Sequence, residues 1–160
     1  MSGAYYYETK YLIDETPAAS LKNEWVKTNF FKNNCFIPEE IIYELRDNYE
    51  LDFNELKKNQ IQVSYDILNA LQIVMAQAKV VKLYHNEGNG DALIVATAMA
   101  MKNLENSKLI KNEWVIVTSD KGVVALAKNL AIKCIDKNIF YEQLKQECED
   151  EQKEDHSRSK

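Results

Sequence analysis

Glycine and proline are scarce, with four and two residues in a chain of 160. Tight hairpins draw on glycine and helix interiors exclude proline, so long helices and few hairpins are expected. Histidine is equally sparse. His85 and His156 stand apart, and Cys35, Cys134 and Cys148 show no CxxC spacing. A Cys/His zinc site is thereby excluded, and Cys-His or Ser-His-Asp catalysis is disfavoured. The odd cysteine count points to reduced thiols. No apolar run approaches the roughly 20 residues of a membrane span. Met1 to Lys10 lacks the apolar core of a signal peptide. The expectation is a cytoplasmic protein without membrane contact. Positive charge is also short: the net charge is −5, with −3 in residues 142–160 and −2 in the remainder. A strongly basic nucleic-acid binder is excluded, so a polyanion would have to be met through local lysines or bound cations.

What the chain has is an ordinary globular composition, 46% hydrophobic and 28% charged, enough for one domain with a real core. Its most organised stretch is Gly88-Asn89-Gly90-Asp91-Ala92-Leu93-Ile94-Val95-Ala96-Thr97-Ala98-Met99-Ala100-Met101. A glycine-broken loop leads into an aspartate, and the aspartate opens a helix with almost no polar face. Such a helix belongs in the middle of a domain. Asp91 either caps it or stands at its tip for chemical use.

The first ten residues read as an N-terminal extension. Its Tyr5-Tyr6-Tyr7 either cover part of the core or offer a stacking surface. Tyr11-Leu12-Ile13 reads as a short buried strand ending at Asp14, with a helix from Pro17 continuing over Ala18 to Phe31. Cys35-Phe36-Ile37 is a second strand. Pro38-Glu39-Glu40 starts a helix to about Asn48, with proline in the first turn and acids at the positive dipole end. Glu44 borders its apolar stripe. Leu51 to Gln60 is polar and helical or irregular. Val63 to Ala78 has helical spacing, and residues 79–85 have a strand flavour with Lys79 and Lys82 interspersed. Lys102 to Asn112 reads as a polar connection. Trp114-Val115-Ile116-Val117 is a continuous apolar run, as in a parallel strand buried on both faces. It ends in Thr118-Ser119-Asp120-Lys121-Gly122. A helix from Val123, a strand over Ala131 to Ile135 and a helix over Asp136 to Gln146 follow. Residues 147–160 carry no apolar anchor and read as a disordered tail. Residues 11–146 thus form one domain.

Four carboxylates fall at informative places. Asp14 and Asp120 each end an apolar strand, Asp91 begins a buried helix and Glu44 lies on an early helix. In a doubly wound sheet, strand ends and helix starts meet along one edge. Converged carboxylates repel one another and lose hydration, so they need protons or cations at neutral pH. An oxygen-only donor set without His or Cys suits Mg²⁺ or Mn²⁺, and such a site suits phosphoryl chemistry.

The stretches Tyr11-Leu12-Ile13-Asp14, Ile37-Pro38-Glu39-Glu40-Ile41-Ile42-Tyr43-Glu44, Gly90 to Ala98 and Val115 to Gly122, in that order, resemble the PIN domain. This is the metal-dependent nuclease fold of VapC-type toxins and many RNA-processing nucleases. The resemblance covers about residues 10–136. It implies a three-layer α/β/α sandwich around a mostly parallel sheet of four to five strands. It implies an acidic site of Asp14, Glu44, Asp91 and Asp120 holding one or two Mg²⁺ or Mn²⁺ ions. Thr118 and Ser119 would orient the last acid or bind a phosphate, and Lys121, with Lys82, would meet the phosphate backbone. The implied activity is endoribonucleolytic hydrolysis of RNA, leaving a 5′-phosphate and a 3′-hydroxyl. The family usually follows its first aspartate with a small hydroxyl or amide residue, whereas this chain has Glu15, then Thr16. Thr16 and Glu87 are auxiliary candidates. A homodimer and an antitoxin partner are further associations the resemblance carries. The alternative is a PIN fold without turnover that binds RNA or a protein. A phospho-receiver fits less well, because Lys121 nearly adjoins Thr118 and Asp91 precedes a helix instead of ending a middle strand.

Overall fold

The structure is a computed structural model that describes residues 6–80 and 90–158, with side chains for 8–77 and 92–157. In the described residues the strands are β1 (Tyr6–Ile13), β2 (Cys35–Pro38), β3 (Gln60–Ile61), β4 (Lys111–Val117) and β5 (Lys133–Ile135). The helices are α1 (Glu15–Ala19), α2 (Asn23–Val26), α3 (Asn29–Asn34), α4 (Glu39–Glu44), α5 (Phe53–Lys57), α6 (Tyr65–Val80), α7 (Gly90–Glu105), α8 (Lys121–Asn129) and α9 (Lys137–Arg158). The strands form one parallel sheet in the order β3-β2-β1-β4-β5. Helices flank it in a three-layer α/β/α sandwich. The chain moves outward from β1 through β2 to β3, then returns to place β4 on the other side of β1. The order therefore reverses between β1 and β4, the kind of switch point where open α/β sheets form a crevice at their carboxyl ends. Ile13 stands opposite Val117 there.

The expected central helix is α7. Ile94, Val95, Ala96 and Ala98 have no exposed surface, and Ala92 and Ala100 are nearly as deep. The helix packs against α6, β4 and α8, and the alanines let these neighbours approach closely. It continues through Glu105, where the sequence reads as a polar connection. Glu105 is only 5% exposed. Its carboxylate accepts from Lys108 Nζ at 3.0 Å, Asn112 N at 2.9 Å and Trp114 Nε1 at 3.3 Å. These bonds fix the end of α7 to the beginning of β4. Gly90 and Asp91 lie at the other end of the helix, about 22 Å away along its axis.

The expected continuous helix over 18–31 is instead three short ones. Thr28 is the clearest cause, because its hydroxyl donates to Trp25 O at 2.7 Å and accepts from Phe31 N at 3.1 Å. That ends one helix and caps the next. Asn23 is diverted to a distant loop, donating to Glu50 O at 2.9 Å and accepting from Asp52 N at 2.8 Å. The short strand β3, which begins at the last residue of the stretch read as helical or irregular, is held by the buried Asn59. Its Nδ2 reaches Phe31 O, Lys32 O and Cys35 O at 3.0, 3.2 and 2.6 Å.

Residues 147–158, read as disordered, continue α9. Phe140, Leu144 and Cys148 are buried at intervals of four residues and give the helix its apolar seam. Glu151 then accepts from Asn29 N at 2.7 Å and Phe30 N at 3.2 Å, capping α3 from 122 residues away. Tyr141 stacks on Trp25 at 5.6 Å between centroids and donates to Pro17 O at 3.0 Å. The last helix thereby braces the segment that follows β1. The three cysteines are free thiols, as their spacing suggests. Among the described residues no helix is long and apolar enough to cross a membrane.

Two stability outcomes follow. The α8 helix ends with Ile132 N bonded to Ala127 O at 2.9 Å and Ala131 N to Lys128 O at 3.1 Å. Ala131 lies at φ 57°, the left-handed position where glycine carries no Cβ penalty. Ala131→Gly is expected to raise unfolding free energy by about 1 kcal/mol in urea titration. Glu151→Ala removes the cap of α3 and is expected to lower it by about 1 kcal/mol.

Candidate active site

Adjacent strand ends supply the first part of the site. Asp14 follows β1 and caps α1, with Oδ1 accepting from Glu15 N at 2.9 Å. Its Oδ2 accepts from Thr118 Oγ1 at 2.7 Å. Thr118 follows β4, is buried, and also accepts from Asp120 N at 3.1 Å. One hydroxyl thus ties the carboxylate on β1 to the turn that presents Asp120. Asp120 caps α8, its Oδ1 accepting from Gly122 N at 2.7 Å and Val123 N at 3.1 Å. Among the described residues its Oδ2 has no donor, which leaves that oxygen open to a ligand. A cleft of about 280 Å³ lies here, lined by Asp14, Glu15, Thr16, Thr118, Ser119 and Asp120.

The second part comes from α4. Glu44 lies close enough to Glu15 and Asp14 to feel both charges. Burial, then these neighbours, raise its pKa. Asp14 is likewise raised, chiefly by burial and further by the Asp120 and Glu15 charges, against the lowering bonds from Thr118 and Glu15 N. Glu40, one turn before Glu44, belongs to the same acidic group and was not singled out from the sequence. Burial and the charges of Glu39, Glu44 and Asp14 push its carboxyl up to about 7. Its Oε1 is buried without a hydrogen-bond partner. The i, i+4 spacing of Glu40 and Glu44 on one flank of the helix was the available signal. It was masked by the ordinary preference for acids in a first helical turn.

The remaining candidates are placed unevenly. Thr16 lines the cleft. Lys121 is exposed at the start of α8 and is not one of the lining residues. Ser119 donates to Asp136 Oδ1 at 2.9 Å. Asp136 follows β5 and is held below the usual carboxylate range by the Asn138 amide and by Ser119. Asp91 is described in backbone only, as the second residue of α7. Glu87, Lys82 and His85 lie outside the described residues.

A family model described as PIN domain matches residues 19–138, three quarters of the chain. The chain belongs to the PIN-domain family. The match includes Glu44, Asp91 and Asp120 and begins just after Asp14. Among solved structures, the chain is similar to the crystal structure of PAE2754 from Pyrobaculum aerophilum. It is 17% identical, covers 86% of this chain and 97% of its own, and has a TM-score of 0.45. No curated protein matches the chain. PIN domains are generally nucleases and generally use divalent metals.

The residues of this PIN domain suit such an ion in chemistry. The donors are all oxygens. Among the described residues, Asp14, Glu15, Glu40, Glu44 and Asp120 form no ion pair with a lysine or arginine. Among the described residues no cationic side chain is paired to them to relieve their mutual repulsion. The described side chains fall short of a closed cage, since no three acidic, His or Cys groups among them converge enough to hold a metal. Asp91 is outside that set.

The raised carboxyls give the metal-free protein a definite pH response. A carboxyl whose folded pKa exceeds its unfolded value stabilises the fold at low pH. For Glu40 that contribution is fully present below its ordinary 4.5 and is lost as the pH rises through about 7. Glu40→Gln is therefore expected to raise the melting midpoint at pH 8 and to leave it nearly unchanged at pH 4.5, measured with chelator present.

Proposed function

We propose that this PIN domain is a Mg²⁺- or Mn²⁺-dependent endoribonuclease that hydrolyses RNA phosphodiesters to a 5′-phosphate and a 3′-hydroxyl. The observation that carries this reading is the hydrogen bond from Thr118 to Asp14 at the β1/β4 switch point. It holds one strand-end carboxylate beside the turn of another, in a cleft where, among the described residues, no cationic side chain is paired to either. Asp14, Glu44, Asp91 and Asp120 are the residues assigned to hold the ions. When bound, a divalent cation supplies charge neutralisation at the phosphate and Lewis-acid activation of water.

The chain's own residues do the rest. Thr118 fixes the rotamer of Asp14 and, through Asp120 N, the turn beyond β4. The backbone amides of Gly122 and Val123 hold Asp120 Oδ1 and, among the described residues, leave Oδ2 without a donor. The apolar bulk of α7 makes Asp91 the end of a rigid rod. Lys121 is assigned to the phosphate backbone of the bound RNA, where its exposure leaves the ammonium free to move with the substrate.

A second reading is a PIN fold that binds RNA or a protein without turnover. The closeness of the Glu15 charge to Glu44 favours it, because it crowds a carboxylate that the nuclease reading gives to metal. Cleavage of a mixed RNA panel decides between the two. Nuclease function predicts Mn²⁺-stimulated cleavage that Asp14→Asn lowers by at least about 100-fold, as the loss of one preorganised electrostatic group does elsewhere. No metal-stimulated cleavage, with RNA binding that survives Asp14→Asn, would establish the second reading.

A further inference from the structure

The hydroxyls of Thr118 and Ser119 each have one proton, and both protons are already committed. Thr118 donates to Asp14 Oδ2 at 2.7 Å and accepts from Asp120 N at 3.1 Å. Ser119 donates to Asp136 Oδ1 at 2.9 Å. Asp136 is an ionised carboxylate that can only accept. Its other oxygen takes the Asn138 amide at 2.9 Å, at the start of α9. Neither hydroxyl therefore has a proton left to give a phosphate oxygen. Ser119 lines the cleft, and with its proton given to Asp136 its Oγ has only lone pairs left for a further ligand.

We propose that Asp136 is a positioning residue that fixes the Ser119 hydroxyl as an acceptor, so that Ser119 Oγ joins Asp14 and Asp120 as an oxygen ligand of the divalent cation, directly or through a water. This rests on the metal-nuclease reading and changes the role of Ser119 within it, from phosphate contact to cation contact. It also accounts for a carboxylate at position 136, where an amide would cap α9 equally well. An asparagine has one acceptor oxygen to divide between Asn138 N and Ser119. With the oxygen on the helix, its NH₂ would donate to Ser119 Oγ. That would occupy a serine lone pair and turn the serine proton toward the cleft.

The test is Mn²⁺ binding to the full chain, followed by the electron paramagnetic resonance signal of free Mn²⁺. The wild type is compared with Asp136→Asn, Ser119→Ala and the double variant. Melting in chelator checks that each is folded. Each single variant is expected to weaken Mn²⁺ affinity by about tenfold, the size of effect seen when a partner of a metal ligand is removed. The double variant is expected to be no weaker than Ser119→Ala, because Asp136 acts through the serine. Wild-type affinity in either single variant overturns the inference, as does full additivity in the double variant. A purely structural role for Asp136 would instead lower only the melting midpoint of Asp136→Ala, with Asn restoring it. If the wild type itself binds no Mn²⁺, the metal-nuclease reading falls together with this one. If the wild type binds and cleaves while Asp136→Asn binds equally well, this inference alone fails.

Discussion

Two strands that neighbour each other at the switch point of the sheet end in residues that bond side chain to side chain. Thr118 Oγ1 donates to Asp14 Oδ2 at 2.7 Å, and the same oxygen receives Asp120 N. Thr118 is 2% exposed, so water competes little for this bond. It requires β1 and β4 to be in register, with Ile13 opposite Val117. The register requires α6 and α7 to carry the chain from β3, across the sheet, to the far side of β1. Glu105 completes that return by clamping the end of α7 to the first residues of β4. The cleft is a consequence of strand order before it is a consequence of any one acid.

The same arrangement creates an electrostatic problem. The charges of Asp14, Glu15, Glu40, Glu44 and Asp120 act on one another in a chain of neighbours, and no described lysine or arginine is paired to them. Burial and like charge raise the pKa values of Asp14, Glu40 and Glu44. Such crowding is stable when protons or cations relieve it. The structure supports the acids from outside the cleft. Tyr141 on α9 holds Pro17 O in α1, and Glu151 caps α3. The acidic end of the chain, which could only add repulsion near the cleft, is spent along the α2–α3 face instead.

Much of this was legible from residue pattern. Apolar runs ending in Asp14 and Asp120 mark strand ends, and the unbroken apolar character of 92–101 marks a central helix. Local signals are enough there because both faces of each element are buried. The rest depends on partners distant in sequence. Residues 147–158 look solvated because their anchors are a sparse seam at 140, 144 and 148 and a carboxylate whose partners are amides at 29 and 30. The break in the helix over 18–31 depends in part on Asn23 bonding across to 50 and 52, beside the local bonds of Thr28. Glu40 reads as a first-turn acid until the approach of Asp14 and Glu44 isolates its Oε1. Asp136 reads as a helix start until Ser119, 17 residues earlier, is seen to donate to it. Glu15 departs from the family pattern in a way the sequence leaves open, and its place in the cleft lining and its charge on Glu44 put it with the acidic group.

The central claim is that these carboxylates are held together for a divalent cation, and thermal melting of the wild-type chain over a pH series tests it most directly. Metal that binds the native state must raise the midpoint, and the ligands must lose protons to bind it. The account predicts that millimolar Mn²⁺ raises the midpoint clearly at pH 8, relative to chelator, and that the rise shrinks steadily toward pH 5. A midpoint indifferent to Mn²⁺ at pH 8 would contradict it.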